Sequence, residues 1–210
     1  MASSWERLAS VTLGSSNDVI DTANDSSFSG NNFTAKKHLR VVIHTIASGV
    51  TNHAIRYNAN TEQIYCYRRS GNGTGEGAEQ SQTSDPSMSG SVSTSSFDAF
   101  AEGSIINTSG IEKVAWWDTS FSGVAGTSNA PMRREGICKW AKTSEQITRI
   151  SVTNDSGGDY DTGSSITVWG TEDQASTPFY PNIPNGTIFE ESDTGKHYMF
   201  DGTDTWNEMT

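Results

Sequence analysis

Leu39-Arg-Val-Val-Ile-His-Thr-Ile46 is the stretch that decides the fold. It is a near-continuous apolar run, rich in β-branched residues and too short for a core helix. Such a run predicts a strand of the fully buried type. Upstream, Trp5–Leu13 alternates loosely between apolar and polar residues, and Val19-Ile20 reads as a short strand. Downstream, Ala54–Tyr57 and Gln63–Arg69 read as a hairpin closed across Asn58-Ala-Asn-Thr61. Met88–Val92, Phe97–Ile106, Glu112–Asp118, Arg133–Ala141, Gln146–Val152 and Ser165–Trp169 continue the series. Polar, Gly- and Ser-rich segments separate them. The longest, Ser70–Ser84, has Gly at 71, 73, 75 and 77 and reads as an exposed loop. No stretch carries a helical apolar stripe. The pattern predicts an all-β fold, a jelly-roll-like β-sandwich of about ten strands over residues 1–170.

Pro178, Pro181 and Pro184 mark residues 171–184 as a linker. Beyond it, Thr187–Glu191, Lys196–Phe200 and Thr205–Glu208 predict a small C-terminal β-hairpin module over 185–210. Three short strands hold too little apolar area to stand alone. The module is therefore expected to dock on the main domain, on a symmetry mate or on another protein.

Composition narrows the function classes. Of 210 residues only 33% are apolar, and Ser and Thr make up about a quarter. The 6 Trp, 6 Tyr and 8 Phe argue for a thin folded core rather than disorder. The net charge is −11, and the basic clusters Lys36-Lys37, Arg68-Arg69 and Arg133-Arg134 are two residues long. A nucleic-acid partner would call for a basic stripe, so none is expected. No segment approaches the roughly 20 apolar residues of a membrane span. Met1-Ala-Ser-Ser-Trp-Glu-Arg7 has no apolar core of a secretory signal. A particle assembled in the cytoplasm and released by lysis reconciles that opening with an extracellular-looking composition. Cys66 and Cys138 are expected as reduced thiols.

No Gly-x-Ser-x-Gly, His-Glu-x-x-His or phosphate-binding loop occurs, so no catalytic residue is assigned and no enzyme is expected. The histidines His38, His44, His53 and His197 lack ligand spacing. Asp155, Asp159 and Asp161 place oxygens close together in a loop, but not with EF-hand spacing; turn chemistry accounts for them, and no metal or other cofactor is assigned. The sequons at Asn24, Asn32, Asn72, Asn107, Asn154 and Asn185 are expected by chance in such a composition. Surface aromatics suit carbohydrate. Trp116 and Trp117 are adjacent, so on a strand one faces the core and the other faces out. Trp117, Tyr160 and Trp206 are taken as ligand-binding candidates, with Trp140 and Trp169 behind them.

Two stretches resemble known proteins. Ile183-Pro-Asn-Gly-Thr-Ile-Phe-Glu-Glu-Ser-Asp-Thr-Gly-Lys-His-Tyr-Met-Phe-Asp-Gly-Thr-Asp-Thr-Trp-Asn-Glu208 resembles a β-hairpin module that ends many structural proteins of tailed viruses, marine ones especially. The first 170 residues look like a domain of virion proteins. The similar points are Trp5-Glu-x-Leu-Ala-Ser-x-Thr-Leu-Gly14, Lys37-x-Leu-x-Val-x-Ile-His44, Gly136-x-x-Lys-Trp-Ala141 and Ser164-x-Ile-Thr-Val-x-Gly170. The resemblance implies a jelly-roll-like virion structural protein, decorating the capsid or forming part of the tail or fibre. It implies a homotrimer in contact with other virion proteins, and attachment to a host-surface glycan is compatible with it. It carries over no catalytic residues. The alternative expectation is a microbial carbohydrate-binding module or lectin.

Overall fold

The computed structural model of the chain describes residues 5–26, 32–47, 53–72, 75–85, 97–122, 127, 130–172, 186–191, 194–201 and 206–209. The expected strand at Met88–Val92 and most of the expected linker, from residue 173 on, lie outside the described residues. The chain divides into a unit Trp5–Gly170 and a smaller unit containing the C-terminal strands.

The larger unit is all-β. Its strands are β1 (Glu6–Thr12), β2 (Val19–Asp21), β3 (His38–Ala47), β4 (His53–Tyr57), β5 (Tyr65–Gly71), β6 (Gly77–Gln82), β7 (Phe97–Ile106), β8 (Lys113–Phe121), β9 (Met132–Trp140), β10 (Ile150–Asn154) and β11 (Ser165–Thr171). Eight form one sheet in the order β1-β11-β3-β7-β8-β9-β5-β6, and β2-β10-β4 form a second. The crossings that set β3 beside β11 and β5 beside β9 are jelly-roll-like, with the strands divided eight to three.

One apolar core joins the sheets. Leu39, Val41, Ile43, Ala101, Ala115, Trp117 and Cys138 come from the large sheet, and Ile20, Ile55, Tyr57, Ile150 and Val152 from the small one. Strand β8 alternates strictly, with Lys113, Ala115, Trp117, Thr119 and Phe121 buried and the residues between them exposed. In β3 the inward residues are Leu39, Val41, Ile43, Thr45 and Ala47, while Arg40 is exposed. The decisive run is thus buried on one face, not both, because the other face of the large sheet is open.

The large ring of Trp117 is accommodated by its cross-strand neighbour Gly103. A Cβ at Gly103 would lie 2.4 Å from the Trp117 ring. Gly103→Ala should therefore cost about 1–3 kcal/mol or more by overpacking, read as a drop in thermal midpoint.

Asp85 ties the two sheets. It is fully buried, and its Oδ2 accepts from Trp117 Nε1 at 2.9 Å and from the Tyr57 hydroxyl at 3.1 Å. Its backbone exchanges two hydrogen bonds with Ile55. Burial, then the charge of Asp85, pushes the Tyr57 hydroxyl well above its ordinary range. Nearby, His53 is buried with Nδ1 at 2.8 Å from the Tyr160 hydroxyl, stacked on the rings of Tyr160 and Phe121. Desolvation holds its imidazole down to about 4.

Three further expectations are corrected. β4 and β5 are not a hairpin: β4 pairs with β10 and β5 with β9 and β6, so the chain changes sheet across the Asn58-Ala59 turn. Ser70–Ser84 is not all loop. It holds edge strand β6, whose ladder forms through backbone groups while its side chains stay almost wholly exposed. Gln146–Arg149 is not strand, although it alternates. Its backbone is bonded instead by the Asn58 and Asn107 side chains: Asn58 Oδ1 accepts from Thr148 and Arg149 N, and Asn107 Oδ1 accepts from Ile147 N.

The smaller unit is a three-stranded antiparallel sheet, β12 (Ile188–Glu191), β13 (Lys196–Phe200) and β14 (Trp206–Met209).

Candidate binding surface

The face of the large sheet turned away from the core carries an ordered chemical pattern. Register places Ile106 beside Val114, and Val114 beside Lys139. One row along, Arg40 lies opposite Ser104, Ser104 opposite Trp116, Trp116 opposite Ile137, and Ile137 opposite Arg68. In the next row Glu102, Asp118 and Glu135 face one another across three adjacent strands.

Ile106, Val114, Trp116 and Ile137 therefore form an apolar block, each 39–51% exposed. Strand geometry requires this, because Val114 and Trp116 share parity with Asp118 and Ser120 on β8. Like charges directly opposite on a sheet are unfavourable. Glu102 is paired with Arg40, and Glu135 with Arg133 at 3.1 Å. Asp118 has no cationic partner among the described residues. Ile137 also lines an open groove of about 620 Å³ with Cys66, Arg68, Ala78, Gln80 and Lys139.

Trp117 and Tyr160 are fully buried and offer no ring face to solvent. The outward member of the tryptophan pair is Trp116. Tyr160 is drawn inward by backbone bridges to Asn17 and Ala47. Trp206 belongs to the smaller unit, where its ring packs on Phe200 at 5.2 Å and edge-on to Phe189 at 6.0 Å. Trp140 is buried and Trp169 half-buried. Asp155 pairs with Arg56 at 3.3 Å, and Asp161 accepts from Ser16 Oγ at 3.3 Å. Among the described residues no three His, Cys, Asp or Glu gather as a metal site.

Cys66 and Cys138 are free thiols on adjacent strands. Cys138 points into the core, where burial pushes its thiol far up, and Cys66 points to the opposite face. Opposite faces exclude a disulfide at this register.

In the smaller sheet Ile188, Met199 and Asn207 lie side by side, and so do Glu190, His197 and Met209 on the same face. Ile188, Met199 and Met209 are 43–58% exposed, and Phe189 on the opposite face is exposed too.

No family model matches the chain, and no curated protein matches it. A solved structure titled "Structure of the CBM2 module of Lactobacillus casei BL23 phage J-1 evolved Dit" is 8% identical, over 83% of this chain and all of that chain. The TM-score is 0.20, well below that of a shared fold.

Proposed function

We propose that the chain is a non-enzymatic structural protein of a tailed-virus particle, assembled in the host cytoplasm and carried on the capsid, tail or fibre. It self-associates as a homotrimer through its small C-terminal sheet. The observation that carries the reading is the trio Ile188, Met199 and Met209, left exposed beside Asn207, Glu190 and His197 on one face of a unit of three short strands. Such a sheet needs a further layer for stability, and an assembling particle supplies one from a second copy. The resemblance of 183–208 to the terminal module of tailed-virus proteins supports the same reading.

Light scattering of the full chain tests it. The expected mass is three times 22.7 kDa, and Met199→Glu should return it to one. A wild-type mass of 22.7 kDa across micromolar concentrations would contradict the reading.

A further inference from the structure

We infer that the outer face of the eight-stranded sheet binds a neutral glycan chain, with Trp116 as its stacking platform. The chain runs across the strands, from Ser104 over Trp116 and Ile137 into the groove bordered by Arg68, Ala78 and Gln80.

Four observations carry this. Trp116 presents a half-exposed ring on a central strand of the sheet, flanked in register by a small hydroxyl residue and an aliphatic one. The C–H face of a pyranose packs on such a ring, while its hydroxyls remain at the edge. At that edge stand donors and acceptors on both sides. Arg40, paired with Glu102, and Arg68, paired with Glu76, end the Trp116 row, and Glu102, Asp118 and Glu135 form the next. Carboxylates accept from hydroxyls in strong, charge-assisted hydrogen bonds. Asp118 has its charge uncommitted among the described residues. Finally, the apolar block continues at Ile137 into an open groove of about 620 Å³.

The carboxylate row argues against a second copy as occupant. The block is four side chains, against the roughly 20–30 residues per side of a stable protein interface. Two copies meeting on this face would bring their Glu102, Asp118 and Glu135 rows towards each other. The same row disfavours anionic polysaccharides.

The test is affinity electrophoresis of the full chain in gels cast with laminarin, xyloglucan, galactomannan or dextran, with heparin as the anionic comparison. At least one neutral polymer should retard the protein. Trp116→Ala and Ile137→Ser should each weaken that retardation at least tenfold, with unchanged circular dichroism. Trp206→Ala should leave it intact. No retardation by any of the four neutral polymers would overturn the inference. So would retardation that survives Trp116→Ala, that depends on Trp206, or that occurs with heparin alone. A fall in oligomeric mass on Trp116→Ala would also overturn it, by assigning the face to a second copy.

Discussion

Asp85→Ala is expected to lower the unfolding free energy by about 3 kcal/mol or more, the largest effect of any single substitution considered for this chain. The carboxylate is wholly buried and is the acceptor for both Trp117 Nε1 and the Tyr57 hydroxyl. Removing it leaves two buried donors without that acceptor, and each such donor costs about 1–3 kcal/mol. Those donors belong to opposing sheets, β8 and β4, so the loss falls on the contact that closes the sandwich. Asp85→Asn retains one acceptor oxygen and should cost less than Asp85→Ala. Urea denaturation read by tryptophan fluorescence measures both. A loss below about 1 kcal/mol for the alanine variant would show that the carboxylate is not the tie between the sheets.

The second large effect is a dependence on pH. His53 ionises near 6.5 in an unfolded chain and at about 4 when folded, because burial disfavours its charged form. Between those values the unfolded chain binds a proton that the folded chain does not. Stability is therefore fully present above pH 6.5 and falls as pH is lowered towards 4. The shift corresponds to about 3 kcal/mol across the window. His53→Phe keeps the ring stack with Tyr160 and Phe121 but has no proton to bind. It pays a fixed cost for the Tyr160 hydroxyl and should lose this part of the slope. Denaturation midpoints at pH 7, 6, 5 and 4.5 compare the two proteins. Wild-type and variant curves that run parallel would contradict the assignment.

How much of this was legible in the sequence differs by element. The β-branched run at 39–46, the apolar residues within 112–118 and the C-terminal turns carried their strands plainly, although the strand at 112–118 runs on to Phe121. β6 was illegible. Gly77-Ala-Glu-Gln-Ser-Gln82 is held by backbone hydrogen bonds at a sheet edge, and its side chains record nothing of that. Gln146–Arg149 misled in the opposite sense, since the N–H groups of Ile147, Thr148 and Arg149 donate to two asparagine side chains from distant positions. Asp85 gave no signal either, as one acidic residue beside Pro86 at the end of a polar stretch.

The binding surface was half legible. The sequence shows that Trp116 and Trp117 face opposite ways, and the outward one is Trp116 rather than the expected Trp117. Parity decides it: Asp118 and Ser120 share a face with Trp116, whereas Ala115 and Phe121 share one with Trp117. The other two candidates lie elsewhere. Tyr160 sits between two aspartates yet is pulled inward by its backbone pairing, and Trp206 lies in a separate unit. The carboxylate row could not be foreseen, since it exists only through the mutual register of β7, β8 and β9.

The most direct test of the account is whether this chain is part of a particle. Particles are purified by density gradient from a lysate in which the chain is made, and their peptides are counted by mass spectrometry. The account predicts that peptides of this chain sediment with the particle band, at a fixed ratio to the major shell protein through successive gradients. A chain left wholly in the soluble fraction, or one whose ratio falls with every gradient, would contradict it.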